Sequence, residues 1–159
     1  MNITDGLKIR GVFRLQLEED GRIVGDSGWK DNAFTNEGKK EFALGCLAGL
    51  AGSSQVSHVA VGTGTQPGAA ATSLDGEMNH GAGSRKAVSA SSNGSTRADF
   101  FATFASSDSH NTAAINISNI GLFGVSNVAA GSIFAGNTYT SSSWATNQNL
   151  NVTYGITVS

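Results

Sequence analysis

The sequence predicts a mainly β protein, an antiparallel β-sandwich or jelly-roll-like domain with an N-terminal β-ribbon and one helix at about residues 36–50. Three observations support this fold class. The chain has 21 glycines and a single proline among many Ser, Thr and Asn residues, which suits short strands joined by turns. Residues 7–17 alternate between apolar and polar side chains. Further strand candidates follow at short intervals, and a length of 159 residues predicts one domain over residues 1–159.

The N-terminal ribbon is predicted over residues 7–29. Most odd positions from Leu7 to Leu17 are apolar and most even positions are polar, a period of two that indicates a strand with one solvent-facing side. Asp20-Gly21 then predicts a tight hairpin turn, because both central residues of the favoured turn need positive φ. The segment from Ile23 to Trp29 is the predicted return strand.

The helix is predicted from a change of period after residue 35. Ala43, Cys46, Leu47 and Leu50 recur at helical spacing, and Thr35 or Asn36 can cap the first turn. We expect this apolar stripe to pack on the ribbon or on the following sheet, because so short a helix needs burial to be stable. Cys46 fits the stripe as a small buried hydrophobe, and as the only cysteine it cannot form an intrachain disulfide.

A sandwich is predicted over residues 56–159 from short strand candidates separated by turn-rich segments. These candidates are residues 56–61, 85–90, 97–105, 114–123, 132–139 and 150–158. The last is the most regular, because five apolar residues alternate with Asn, Thr and Gly. The Ala- and Ser-rich segments 68–84, 91–96 and 140–149 are predicted connections.

The charge pattern argues against several classes of partner. Only 14% of residues are charged and the formal net charge is -2, so a partner attracted mainly by charge, such as nucleic acid, is not expected. No window contains the ~20 apolar residues that cross a bilayer, and the first residues lack the pattern of a secretory leader. We expect a cytosolic product with no membrane partner.

No pattern of residues predicts catalysis, a cofactor or a metal site. Gly62-Thr63-Gly64 follows an apolar run but lacks the spacing of dinucleotide-binding and P-loop motifs, so we predict a structural turn. The three histidines, His58, His80 and His110, lie far apart and are interpreted as surface or turn residues. Asp75 and Glu77 could meet His80 around an ion, but carboxylates in such a loop are expected to be solvated. A Ser-His-Asp triad built from scattered residues stays open.

Aromatic residues are the better candidates for binding. Trp29, Tyr139, Trp144 and Tyr154 could stack on sugars, although aromatics in strands more often belong to the core. Trp144 lies in the polar context Ser-Ser-Ser-Trp-Ala-Thr-Asn, which predicts an exposed loop or a subunit contact. We therefore predict Trp144 and Trp29 as interface residues.

The order of short motifs along the chain resembles a type of tailed-bacteriophage virion protein. The motifs are Trp29-Lys30-Asp31-Asn32, Thr35-Asn36-Glu37-Gly38, Val59-Ala60-Val61-Gly62-Thr63-Gly64-Thr65, Leu74 with Glu77, Ile117-Ser118-Asn119-Ile120-Gly121-Leu122-Phe123, Gly131, and residues 150–157. The resemblance spans nearly the whole chain. It departs at Asn119, where many relatives place an acidic residue, so a buried charge pair cannot be carried over to that position.

The resemblance implies a structural virion component without catalytic activity, made in the host cytoplasm and assembled onto the particle. The resemblance first implies a capsid decoration or cement protein that forms a homotrimer and contacts the major capsid protein. The alternative is a tail, baseplate or fibre component that binds a host receptor or glycan. An enzyme such as a glycan hydrolase is the least favoured interpretation, because no pair of carboxylates lies in a sequence context that indicates a catalytic acid and base.

Overall fold

A computed structural model of the protein describes residues 6, 8–49, 55–65, 67–79, 85–94, 96–128 and 133–159. More than half of these residues lie in strands, and every strand pair among them is antiparallel. The prediction of a mainly β, antiparallel fold is therefore confirmed. The strands are β1 (Ile9–Glu19), β2 (Arg22–Asp26), β3 (Lys30–Phe34), β4 (His58–Gly62), β5 (Lys86–Ala87), β6 (Ser89–Ser92), β7 (Arg97–Phe104), β8 (Ile115–Phe123), β9 (Ile133–Trp144) and β10 (Asn149–Val158).

The strands form a sandwich that is nearly closed into a barrel. Their order is β5-β4-β8-β9-β3-β1-β10-β7-β6, and β2 pairs with β1 beside β3. The chain passes between the two sheets of the sandwich at two places. Strand β3 pairs with β1 through its first residues and with β9 through its last, while β5 and β6 are consecutive and pair with β4 and β7 respectively.

Strand β1 pairs with β2, as the predicted N-terminal ribbon requires. It also lies inside a larger sheet with β3, β10, β7 and β6, which we call the main sheet. It pairs with β10 over ten residues, from Ile9 opposite Val158 to Glu18 opposite Asn149. The predicted hairpin turn is confirmed, because Asp20 and Gly21 have φ of 49° and 76°. The return strand is shorter than predicted: β2 ends at Asp26, and the chain pairs with β1 again as β3.

The helix begins where the sequence predicts it. Thr35 is the N-cap, and its hydroxyl accepts a hydrogen bond from the Gly38 amide at 3.0 Å. The helix α1 spans Asn36–Glu41 and continues as a π-helical segment over Phe42–Leu47. It packs against β9 at Gly38, where a Cβ atom would lie 2.7 Å from the carbonyl carbon of Phe134. Of the predicted apolar stripe, Ala43 is exposed, while Leu50 and the side chains of Cys46 and Leu47 lie outside the described residues.

The later strands match the predicted windows, with two corrections. The predicted strand over residues 85–90 is divided into β5 and β6, and β6 continues to Ser92, into the predicted connection over residues 91–96. Strand β9 runs to Trp144, so the predicted connection over residues 140–149 is wrong for its first five residues. The core lies between the sheets and contains residues from both. Phe13 of β1 stacks on Tyr154 of β10 and meets Tyr139 of β9 edge-on, with ring centroids 5.9 and 6.0 Å apart.

Candidate functional site

The two tryptophans singled out in the sequence have opposite environments. Trp144 is fully buried, its indole N–H donates to the Gln148 carbonyl at 2.8 Å, and its ring meets Phe104 edge-on. The expectation that Trp144 lies in an exposed loop is wrong, because β9 extends through the serines and turns Trp144 towards the core. Tyr139 and Tyr154 are also buried, so these three rings are not accessible to a sugar or a neighbouring subunit.

Trp29 is half exposed, with 50% of its surface accessible. It lies between β2 and β3 beside one broad surface of the main sheet, which we call the outer face. Side chains on this surface come from alternate residues of β1, β10 and β7, because successive residues of a strand point to opposite sides. The outer face consists of Arg10, Val12, Arg14, Thr153, Gly155, Thr157, Arg97, Asp99, Phe101 and the adjoining Trp29.

Each arginine of the outer face has an aspartate partner. Arg10 reaches Asp31 at 2.8 Å, and Arg97 reaches Asp99 at 2.7 Å. Arg14 pairs with Asp26, and the guanidinium holds the pKa of that carboxyl far below its usual range. Arg10 and Asp31 are both exposed, so their pair contributes little to stability, whereas Asp99 is buried. Together the three pairs hold three guanidinium groups in place on a surface with little net charge.

Arg97 lies across β10 and reaches the indole of Trp29. A Cβ atom at Gly155 would lie 2.5 Å from Nη2 of Arg97, so the glycine leaves the space that this side chain occupies. The guanidinium carbon lies 5.6 Å from the centroid of the Trp29 ring, within cation–π distance. The glycine in the middle of a strand was the sequence signal for this close approach, and the sequence reasoning missed it.

Phe101 extends the aromatic surface towards β6. Its ring is exposed, and the residue pairs with Thr153 on one side and Ser89 on the other. Every residue of β6 is exposed, and all are serine or alanine. The outer face thus combines exposed aromatic rings with ordered arginines, the residue types enriched at the energetic centres of protein interfaces.

The Gly62-Thr63-Gly64 loop is folded onto a second loop at Asp75. The Asp75 carboxylate accepts hydrogen bonds from the amide and the hydroxyl of Thr65 at 2.9 and 3.0 Å, which lower its pKa. Asn119, fully buried, donates to the carbonyls of Thr65 and Asp75. A Cβ at Gly62 would lie 2.5 Å from the Asn119 side-chain oxygen. The glycines are therefore required for close packing between the loops.

Glu77 is not solvated, contrary to the expectation for this loop. It accepts two hydrogen bonds from Arg85, at 2.6 Å from Nε and 3.0 Å from Nη2, and both side chains are nearly completely buried. The Arg85 guanidinium lies 3.5 Å from the centroid of the Phe123 ring. Glu77 therefore serves the fold, and His80, its predicted neighbour, lies outside the described residues.

Of the two described histidines, His58 is half-buried in β4, and His110 is buried in the irregular segment before β8. Ser57 Oγ lies 2.8 Å from Nδ1 of the half-buried His58, but burial and the nearby Arg85 cation lower the pKa of His58. In a catalytic triad the histidine has a carboxylate beside it, which stabilises the imidazolium, whereas His58 has the Arg85 cation nearby. His110 is buried against Phe104 and Trp144. Its pKa is lowered by burial, with the Lys86 cation acting in the same direction and Asp108 opposing it.

In the part of the chain that the structure describes, no three His, Cys, Asp or Glu side chains are grouped to hold a metal ion. Nor is any described helix long and apolar enough to cross a membrane. Comparison of the chain with protein-family models, with curated proteins and with solved structures finds no significant match.

Proposed function

We propose that the protein is a structural virion component of a tailed bacteriophage, acting as a capsid decoration or cement protein through protein–protein contacts. The observation that carries the proposal is the outer face, where the exposed Trp29 and Phe101 lie among three arginines already held by aspartates. The resemblance of the motif order to phage virion proteins supplies the biological setting.

The outer face suits a permanent contact with a neighbouring protein. Burying a large aromatic side chain contributes about 1.5–3 kcal/mol, and Trp and Arg are the residues that most often dominate interface energies. Since the aspartates already fix Arg10, Arg14 and Arg97, less side-chain entropy is lost when a partner covers them. A decoration protein that covers seams between capsid subunits needs such a surface and no catalytic step.

Two carboxylates also support a non-enzymatic role, because they hold the fold together. Asp75 accepts a hydrogen bond from Thr65, and Glu77 accepts one from Arg85, 10 and 8 residues away in the chain. We further propose a homotrimer bound to the major capsid protein, as the resemblance implies. Light scattering at micromolar concentration tests the trimer, and a monomer would remove this part of the proposal.

The decisive experiment locates the protein on intact particles by electron microscopy and tests Trp29→Ala for incorporation. We expect density on the head and at least tenfold weaker binding of the variant to the particle, the effect of losing about 1.4 kcal/mol or more. The matched control is Val24→Ala, because Val24 is similarly exposed at 55% but belongs to β2 and is not among the outer-face residues. Equal occupancy of both variants would refute the role of the outer face, and no density on the particle would refute the function.

The second candidate is a tail, baseplate or fibre component that binds a host receptor or glycan. An exposed indole can stack on a sugar ring while a neighbouring guanidinium donates hydrogen bonds to its hydroxyls, and Trp29 and Arg97 have this arrangement. Density on the tail, together with glycan binding that Trp29→Ala abolishes and Val24→Ala preserves, would favour this candidate over the first.

A further inference from the structure

A cleft opens where β2 and β9 separate. Strands β3 and β9 are paired at Ala33–Gly136 and Phe34–Ala135, but further along, the edge of β2 and the second half of β9 diverge. The cleft has a volume of about 330 Å³. Its apolar residues are Leu15, Leu17 and Leu150, and its other lining residues are Gly25, Asp26, Ser27, Lys30, Thr140, Ser141 and Ser142.

Both walls of the cleft are strand edges. On one side, the Ser27 amide donates to the Leu15 carbonyl, so Ser27 faces β1. Because alternate residues of a strand direct their N–H and C=O groups to opposite sides, the main chain of Asp26 faces the cleft. On the other side, residues 140–142 have β8 as their only strand neighbour among the described residues. Small wall residues, including Gly25 and the serines, allow close approach of another main chain.

The charges at the mouth of the cleft are not balanced. The Asp26 carboxylate is occupied by Arg14, Gln16 and the Gly28 amide. Lys30 is exposed and has no anionic partner among the described residues. The cleft therefore offers main-chain hydrogen-bonding groups on its walls, apolar side chains at its base and a cation at its mouth.

We propose that the cleft binds an extended segment of a different protein subunit in the assembled particle, one that places an apolar side chain on the leucines and an acidic side chain at Lys30. Neighbouring residues of an extended segment point in opposite directions, so adjacent apolar and acidic residues reach the base and the mouth together. Since β3 and β2 run antiparallel to β9, the inserted segment is parallel to one wall and antiparallel to the other. This mode is strand addition to an exposed sheet edge.

The proposal rests on the proposed structural function but is tested on the isolated protein. Two blocked peptides, acetyl-Thr-Val-Asp-Val-Thr-amide and acetyl-Thr-Val-Lys-Val-Thr-amide, are titrated while amide chemical shifts and hydrogen exchange are followed by NMR. We expect slower exchange at Asp26 and at residues 140–142, and about threefold to fivefold tighter binding of the Asp peptide, the effect of one exposed ion pair.

Lys30→Glu is the test variant, and Lys39→Glu, an equal change of charge at an exposed position on α1, is the control. Lys30→Glu should reverse the preference between the peptides, whereas Lys39→Glu should preserve it. Shifts confined to Lys30, or no slowing of exchange in the cleft with either peptide, would overturn the proposal. The proposal would also be overturned if hydrogen exchange in the cleft were slow without peptide and became slower at higher protein concentration, because the occupant would then be a second copy of this chain. None of these outcomes affects the location of the protein on the particle.

Discussion

The buried ion pair between Arg85 and Glu77 allows a quantitative test of how the loop at Asp75 is held to the core. The two side chains make a bidentate contact, and their exposed fractions are 0% and 6%. Replacing Glu77 with leucine removes the carboxylate that accepts both hydrogen bonds from Arg85, while the guanidinium stays buried against Phe123. Breaking a buried pair in this way costs about 3–5 kcal/mol, a large part of the 5–15 kcal/mol that stabilises a typical domain.

The double variant Glu77→Leu with Arg85→Met separates pairing from packing. Replacing both charges with apolar side chains of similar volume is often neutral or stabilising, so we expect the double variant to lie within about 1–2 kcal/mol of the wild type. Each single variant should be clearly less stable than the double. The coupling energy of the cycle should therefore exceed about 2 kcal/mol, the upper range for residues in direct contact.

Urea denaturation followed by tryptophan fluorescence measures these free energies of unfolding, since Trp144 is fully buried in the native state. Glu37→Gln is the control, because Glu37 forms an exposed pair with Lys40 on α1 and should cost no more than about 0.5 kcal/mol. The reasoning is refuted if Glu77→Leu costs less than about 1 kcal/mol, or if the double variant is as unstable as the sum of the single ones.

Three further variants test other parts of the fold. Gly38→Ala should destabilise the protein by about 1–3 kcal/mol in urea, because its Cβ would overlap the backbone of Phe134; a gain in stability would mean that helix propensity dominates. Tyr154→Phe should be neutral or stabilising, since the buried hydroxyl has no hydrogen-bond partner among the described residues; a loss above about 1 kcal/mol would reveal a partner, such as a bound water. Because burial lowers the pKa of His110, the unfolded chain binds the proton more readily and stability should fall as the pH drops below about 6.5. His110→Phe should weaken this dependence in thermal unfolding at pH 7.5 and 5.5, and an unchanged slope would contradict the assignment.

Strands with a regular period were predictable from the sequence. The alternation of β1 and β10 leaves Phe13, Leu15, Val152 and Tyr154 on the inner side, and all of them are buried. Strand β3 was missed because its sequence, Lys-Asp-Asn-Ala-Phe, lacks alternation. It is a strand because it pairs first with β1 and then with β9, and such long-range pairing has no local signal.

The candidate site was only partly predictable for a similar reason. Trp29 was identified from its residue type, but its contact with Arg97 depends on a register that brings three strands together. Trp144 was assigned to an exposed loop because its neighbours in the sequence are polar. Those neighbours lie on the edge of β9, and the ring itself fills the core. The polar residues next to Trp144 therefore reflect the position of β9 at a sheet edge, and they do not indicate the environment of the Trp144 ring.

The pairing of β1 with β10 has a consequence for how the protein is made. Roughly 130 residues separate the two strands in the chain, and synthesis at ~5–20 residues per second needs on the order of ten seconds to produce them. During that time the apolar side of β1 has no partner from β10, and the nascent chain exposes Phe13, Leu15 and Leu17. Contacts between residues so distant in sequence also slow folding itself. Ribosome-bound chains that stop before β10 should therefore bind chaperones and remain expanded. Protection from protease should appear only once β10 has emerged from the ribosome.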